Sequence, residues 1–283
     1  MQGKIALLSY TAGAGRTLLT GQLYYAACKS GISARLFGYD MNKQDWLTSG
    51  LLDNARSEPV YGMVPFLDHQ RCNFCGNCLR FCSRFAIQFD RFKPEISLRP
   101  DLCHLCGDCI KGCSHNGISH IRRYIGNLYH SSDGRICVGQ AAPGTRFILP
   151  LFIGLNQQQS NEELIICDLP PGDSGFVSTS LLNVTLAILI VIPSPEWETQ
   201  TFYMLDYLQS MKLNFCILAN KTERESDFYK SLVRLCNDKE VLLAGAIEQF
   251  KSSPEIDFQK EFPGSEVFQD LWAQIDSKLT RNY

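Results

Sequence analysis

The segment that decides the fold class lies near the start of the chain, where residues 5–17 read IALLSYTAGAGRT. Ile5–Ser9 is an apolar run of strand length, and a loop of small residues separates it from Leu18–Cys28, which has helical periodicity. Gly31 is placed to end that helix, and Ala34–Asp40 returns as a second strand. The order of these segments predicts a β-α-β unit.

Apolar segments continue to alternate with helix-like segments in the second half of the chain. The strands predicted there are Leu164–Asp168, Leu186–Ile192, Phe215–Asn220 and Val241–Ala244. This alternation is typical of a parallel sheet that is covered on both faces. We therefore predict an α/β fold with a doubly wound, mostly parallel sheet, which binds ligands beyond the carboxyl ends of its strands. A loop is predicted over 134–161 and a helix over 267–279.

Composition and charge exclude several classes of function. The 283 residues include 27 basic and 29 acidic side chains, and the net charge of −2 lacks the positive excess that binds nucleic acid. The longest apolar run, Leu186–Ile192, stops at Pro193 and is too short to span a bilayer. No secretory signal precedes the first strand. We expect a cytoplasmic protein with no membrane span and no nucleic-acid partner.

Eight of the thirteen cysteines form an internal repeat with the spacing C-x2-C-x2-C-x3-C. In a long chain without a secretory signal, this pattern indicates metal ligation rather than disulfide bonds. Pairs of zinc sites remain an alternative, although the surplus of evenly spaced cysteines favours iron–sulfur clusters. Gly76 and Gly107, which each follow a second cysteine, are expected to allow close backbone approach. The cysteines are Cys72, Cys75, Cys78 and Cys82, then Cys103, Cys106, Cys109 and Cys113.

The repeat resembles that of bacterial two-cluster ferredoxins, in which the cysteine after the x3 gap binds the other cluster. The resemblance implies two 4Fe-4S clusters and an inserted α+β ferredoxin domain over residues 66–122, between the two parts of the α/β domain, 1–65 and 123–283. The proline that usually follows the fourth cysteine is replaced by Ser83 and Ser114. The implied ligand sets are Cys72, Cys75, Cys78 and Cys113 for one cluster and Cys103, Cys106, Cys109 and Cys82 for the other.

The loop after the first strand keeps half of the P-loop pattern G-x4-G-K-[ST]. Gly15 and Thr17 match, whereas Tyr10 replaces the first glycine and Arg16 replaces the lysine. Such loops bind phosphate because small residues let backbone N–H groups converge on the anion at a helix N-terminus. Later, the sequence DLPPG at residues 168–172 follows a strand, where P-loop NTPases keep the aspartate that orients magnesium.

Taken in order, these landmarks resemble the MinD-like P-loop ATPases that carry an inserted two-cluster ferredoxin, within the class that includes MinD, ParA and the nitrogenase iron protein. The resemblance covers roughly residues 1–250. It implies catalytic roles for Asp40 and Asp168, which would position magnesium or water. It also implies that the nucleotide is contacted by Gly13, Gly15, Arg16, Thr17, Gly172 and, at the base, Asn220.

Two departures bear on catalysis, because Thr11 replaces the signature lysine of the family and Arg16 replaces the P-loop lysine. Arginine keeps the charge but is bulkier and planar. The resemblance therefore implies one of two functions. The first is electron transfer to or from a partner redox enzyme, with ATP as a gate and Mg-ATP as a further cofactor. The second is a pseudo-ATPase ferredoxin that acts as a scaffold or iron–sulfur donor. Either form is expected as a homodimer or paired with a similar MinD-like protein.

Overall fold

The computed structural model describes residues 3–42, 45–47, 50–90, 92–93, 95–100, 102–159, 164–249 and 270. The helix predicted over 267–279 lies outside these residues, apart from position 270. In chain order the elements are β1 (Gly3–Leu8), α1 (Arg16–Lys29), β2 (Ala34–Gly38), β3 (Arg56–Leu67), α2 (Asn77–Phe81), β4 (Ile87–Asp90), β5 (Glu95–Leu98), α3 (Asp108–Lys111), β6 (Ile118–His130), β7 (Ile136–Ala141), α4 (Leu149–Gln157), β8 (Leu164–Asp168), α5 (Gly175–Ser180), β9 (Leu186–Val191), α6 (Trp197–Ser210), β10 (Phe215–Asn220), α7 (Asp227–Asp238) and β11 (Leu243–Ile247).

Nine of the strands form one mixed, mostly parallel sheet in the order β11-β10-β9-β1-β8-β2-β7-β6-β3. The chain divides into two compact units. The first contains residues 1–56, 129–139 and 157–283, and the second contains 57–128 and 140–156. Strands β4 and β5 pair separately as an antiparallel ribbon within the second unit.

The first unit confirms the predicted parallel sheet. Strand β1 pairs in parallel with β8 on one side and with β9 on the other, so Leu7 lies opposite Asp168 and Ile188. All six residues of β9 are buried, as a strand covered on both faces requires. Because the strands run parallel, their carboxyl ends share one edge of the sheet, where the loop that follows β1 also begins.

The prediction of a loop over 134–161 is wrong. This segment contains β7 and the helix α4. Pro143 and Pro150 make it look like a loop, but Pro150 lies in the first turn of α4, where its missing N–H is not needed. Strand β7 follows β6 through a tight turn, in which Ser131 N–H bonds to the Ile136 carbonyl at 3.0 Å.

The second unit shows the cysteine repeat as a repeated backbone conformation. Phe74, Gly76 and Phe85 have positive φ values of 58°, 72° and 54°. The matching residues of the second copy, 31 positions later, are Leu105, Gly107 and Asn116, with φ values of 55°, 79° and 53°. Two chain segments of different sequence thus adopt the same turns around their cysteines.

The two glycines of the repeat are explained by their backbone angle, and not by the close backbone approach that the sequence predicts. Gly76 begins α2 in the left-handed region, and a Cβ there would meet no atom within 4 Å. Gly107 also has positive φ, and a Cβ there would lie 3.0 Å from the His120 ring. The backbone angle is therefore the common reason for glycine at both positions.

Phe85 is an exposed, bulky residue in a strained backbone conformation, which leads to a stability prediction. It is 79% exposed and has a φ of 54°, whereas the matching position holds Asn116, a residue type that tolerates this region. We expect Phe85→Asn to raise the free energy of unfolding by about 1 kcal/mol in urea denaturation. The reverse exchange, Asn116→Phe, should lower it by a similar amount. A loss of stability in Phe85→Asn would contradict this account.

Candidate functional site

Residues at the end of β10 form hydrogen bonds to the loop between β1 and α1. The Asn220 side-chain amide donates a hydrogen bond to the Ala14 carbonyl at 2.8 Å, and Lys221 Nζ donates to the Gly13 carbonyl at 2.8 Å. Gly13 and Gly15 have positive φ values of 76° and 85°. A Cβ at Gly15 would lie 2.5 Å from Asn220 Nδ2, so only glycine fits this close approach.

Arg16, the first residue of α1, directs its side chain into the protein interior. Its Nη2 lies 2.9 Å from Asp40 Oδ2, its Nη1 donates to Ser9 Oγ at 3.3 Å, and its Nε lies 3.9 Å from Asp168 Oδ1. Only 3% of Arg16 is exposed. The guanidinium therefore lies between the two carboxylates for which the sequence predicts contact with magnesium or water.

Asp168, the last residue of β8, is fully buried and accepts two further hydrogen bonds. Thr17 Oγ1 donates to Asp168 Oδ2 at 2.8 Å, and Trp46 Nε1 donates to the same oxygen at 2.9 Å. Asp168 Oδ1 and Arg16 Nε, in contrast, have no hydrogen-bond partner among the described residues. We call the set Ser9, Arg16, Thr17, Asp40, Trp46 and Asp168 the Arg16 network.

Burial raises the pKa of the Asp168 carboxyl from its ordinary 3.8 to about 6. The charge of Arg16 and the hydrogen bonds from Thr17 and Trp46 act in the opposite direction, and the charge of Asp40 adds to the rise. Desolvation thus exceeds the pairing, as it does for many buried ions.

This raised pKa predicts how stability changes with pH. Between about pH 4 and pH 6, the folded chain retains a proton that the unfolded chain has lost, so the contribution of Asp168 to stability falls as the pH rises. Across this range, the free energy of unfolding of the wild type should fall by about 3 kcal/mol because of Asp168, and that of Asp168→Asn should lack this fall. Urea denaturation of both proteins at several pH values measures the difference. Glu225→Gln, an exposed carboxylate, is the control. Parallel pH profiles for wild type and Asp168→Asn would contradict the assignment.

The structure brings the predicted nucleotide-site residues to one edge of the first unit. Gly172 joins them, because its N–H donates to the Ser9 carbonyl at 2.9 Å. Two members of the Arg16 network were not predicted from the sequence. Ser9 begins the predicted phosphate loop without a role of its own, and Trp46 lies in a turn that carries no motif. The roles of these residues toward a nucleotide stay predictions.

The cysteines of the second unit form two groups, and each group combines both copies of the repeat. Burial raises the pKa of the Cys78 thiol, and the neighbouring thiols of Cys113, Cys72 and Cys75 raise it further. Burial also raises the pKa of Cys109 to about 11, with contributions from Cys103, Cys82 and Cys106. The assignment of these cysteines to two clusters stays a prediction.

Backbone contacts independently bring Cys113 close to Cys72. A Cβ at Gly117 would lie 3.1 Å from the Cys72 Cα, so the turn after Cys113 packs directly against the first cysteine of the other copy. Backbone N–H groups also point at the sulfurs. Ala86 N–H donates to Cys82 Sγ at 3.3 Å, and Gly117 N–H donates to Cys113 Sγ at 3.2 Å. The two bonds occupy matching positions in the two copies.

Apolar side chains pack against five of the eight repeat cysteines, whereas Cys75 and Cys106 are exposed. Cys78 is buried with Ile87, Ile96 and Ile118, and the other members of this cluster include both copies of the repeat. All thirteen cysteines are free of disulfide bonds. Among the described residues, no group of three or more Cys, His, Asp or Glu side chains is close enough to hold a single metal ion. No helix in the described part of the chain has both the length and the hydropathy needed to cross a bilayer.

Comparison with known proteins gives matches at the level of the fold. No family model matches the chain, and no curated protein matches it. Among solved structures, it is similar to the septum site-determining protein MinD of Pyrococcus horikoshii complexed with Mg-ADP. The two are 15% identical, with a TM-score of 0.57 over 98% of this chain and 96% of that one.

Two further structures show the same likeness. One is MinD in the MinC:MinD cell division complex of Aquifex aeolicus, with 14% identity and a TM-score of 0.56 over 97% of this chain and 96% of that one. The other is a plasmid partition protein of Borrelia burgdorferi bound to AMPPNP, with 10% identity and a TM-score of 0.53 over 98% of this chain and 99% of that one. The chain thus has the fold of the MinD/ParA-type P-loop ATPases.

Proposed function

We propose that this protein is an iron–sulfur electron-transfer protein built on a MinD-like nucleotide-binding scaffold. Its clusters would lie in an inserted ferredoxin domain at residues 66–122, and it would exchange electrons with a partner redox protein. The observation that carries the proposal is the grouping of the cysteines. Each group combines three cysteines of one copy with the last cysteine of the other, which is the ligand arrangement of two-cluster ferredoxins.

The residues around the thiols suit two 4Fe-4S clusters. A cubane offers a separate iron to each of four thiolates, so its ligands surround an inorganic core rather than a single ion. When bound, the clusters would supply one-electron redox chemistry. Burial raises the pKa values of Cys78 and Cys109, the neighbouring thiols raise them further, and cationic iron would favour the thiolate forms. The N–H groups of Ala86 and Gly117 would stabilise thiolate charge on Cys82 and Cys113, and apolar side chains pack against both cysteines.

Metal analysis of protein purified without oxygen tests this proposal. We expect brown protein with about eight irons and a matching amount of acid-labile sulfide per chain, as two 4Fe-4S clusters require. Reduction should give an electron paramagnetic resonance signal. Colourless protein that contains zinc would favour the alternative of paired zinc sites and would contradict the electron-transfer role.

The second candidate function is that of a pseudo-ATPase. The geometry of Arg16 favours this function over gating by ATP. In this pseudo-ATPase version, the α/β domain acts as a scaffold or an iron–sulfur donor module and hydrolyses no ATP. Its support is that Arg16 pairs with both catalytic candidates, Asp40 and Asp168, and that Thr11 stands in place of the signature lysine. Loss of a cation that stabilises transition-state charge typically slows catalysis by orders of magnitude.

Turnover measurements distinguish the two versions. We expect no Mg-ATP hydrolysis above the level of Thr17→Ala and Asp168→Ala, both for the protein alone and with a similar MinD-like protein that could supply the missing lysine in a dimer. Nucleotide binding is measured in parallel by calorimetry. Hydrolysis that both substitutions abolish would contradict the pseudo-ATPase version. We propose the cytoplasm as the compartment, because a repeat of eight cysteines with metal-ligand spacing suits a reducing environment.

A further inference from the structure

Asp40 and Asp168 are the carboxylates to which the resemblance to P-loop ATPases assigns a divalent metal ion. Magnesium in such sites is held by one or two carboxylates and the P-loop hydroxyl, in octahedral geometry with short oxygen contacts. The corresponding groups here are Asp40, Asp168 and Thr17. All three are buried, and each already has a protein partner.

The guanidinium of Arg16 occupies the space that these carboxylates enclose. It lies 2.9 Å from Asp40 Oδ2 and 3.9 Å from Asp168 Oδ1, and it receives further support from Ser9 Oγ at 3.3 Å from Nη1. Asp168 Oδ2 accepts hydrogen bonds from Thr17 and Trp46. The oxygen that would remain for a metal, Asp168 Oδ1, faces the equally unpartnered Nε of Arg16.

A divalent ion does not fit this arrangement. Two carboxylates and one guanidinium leave a single net negative charge, which is half of what a two-carboxylate metal site offers. A metal ion at contact distance from the carboxylates would also lie within a few ångströms of the guanidinium, and in a buried site such like charges repel strongly. Arginine keeps its positive charge at every physiological pH, so proton loss cannot relieve the repulsion.

We propose that Arg16 is a resident cation that takes the place of the divalent metal and closes the Asp40–Asp168 site to it. Removing the guanidinium alone then exposes a metal site that the fold still contains. This inference concerns the first unit only and does not depend on iron–sulfur clusters. Failure of the cluster proposal, seen as absent iron, would leave it unchanged.

Binding of Mn²⁺ tests the inference directly, with the free Mn²⁺ signal in electron paramagnetic resonance as the readout. The full chain is compared as wild type, Arg16→Ala and Arg16→Ala/Asp40→Asn. We expect Arg16→Ala to bind one additional Mn²⁺ per chain, about tenfold or more tightly than wild type, because the two carboxylates lose their internal cation. The added Asp40→Asn substitution should abolish that binding. Arg224→Ala, which removes an exposed arginine, should behave as wild type.

Two results would overturn the inference. One is binding of Mn²⁺ by wild type that Asp168→Asn removes, because the site would then be open with Arg16 present. The other is a folded Arg16→Ala protein that gains no site. If Arg16→Ala does not fold, Arg16→Gln replaces it, since glutamine keeps polarity and bulk without charge. For that variant, Mn²⁺ should raise the melting temperature, whereas it should leave wild type unchanged.

Discussion

Replacing Cys113 by alanine is expected to remove about half of the iron and labile sulfide, and to remove the same half that Cys78→Ala removes. These residues belong to different copies of the repeat. They belong to one cysteine group because the thiol of Cys113 is a neighbour of Cys78, and because the turn that follows Cys113 packs on Cys72. A cubane that loses one of its four thiolate ligands is expected to be lost as a whole.

Double variants show which cysteines share a cluster. Cys78→Ala/Cys113→Ala should retain the other half of the iron, because both residues serve one cluster. Cys109→Ala/Cys113→Ala should retain almost none, although both residues come from one copy. Cys28→Ala, outside the repeat, is the control and should leave iron content unchanged. If Cys109 and Cys113 proved to serve the same cluster, the ligand sets would not be crossed.

The second large effect is expected from Arg16→Ala, which should lower the free energy of unfolding by about 3–5 kcal/mol. The substitution leaves the charges of Asp40 and Asp168 buried close together without their shared cation. Urea denaturation at neutral pH with chelator present measures the loss, since the chelator prevents a metal ion from replacing the guanidinium.

Two comparisons make this prediction specific to the ion pairs. Arg224→Ala removes an exposed arginine and should change stability by less than about 0.5 kcal/mol. Arg16→Ala in an Asp40→Asn background should cost less than in wild type, because one of the two uncompensated charges is already gone. A cost below about 1 kcal/mol in wild type would show that the network contributes little to stability.

The parallel sheet was predictable because its strands carry their signal locally. Leu164–Asp168 and Phe215–Asn220 have the predicted bounds, and the strand at 186 differs by one residue at its end. Continuous burial leaves an unbroken apolar run, which periodicity detects. Strand β3 lacks that signal, because it is largely exposed and contains Pro59 and Pro65. Proline argues against a strand unless tertiary pairing overrides it.

The contacts of Arg16 and Trp46 could not be predicted from the sequence, because they depend on where the side chains point. The position of Arg16 after Gly15 predicts a phosphate ligand, yet its side chain points inward to Asp40, which lies 24 residues further along the chain. Trp46 carries no motif and reaches Asp168 only because the fold brings the two together. The cysteine groups, in contrast, could be predicted from the sequence, because each short loop places three thiols together by local geometry alone.

The strands that lead into and out of the cysteine repeat bring the two ends of the segment together. Strands β3 and β6 are neighbours in the sheet, and at their far end Asp68 N–H bonds to the Gly117 carbonyl at 2.8 Å. Residues 68–117 thus begin and end at paired strand ends, which lie about 5 Å apart, the ordinary spacing of paired strands. We expect that a tight hairpin turn could replace residues 68–117 and join β3 directly to β6, because the chain enters and leaves this segment at paired positions.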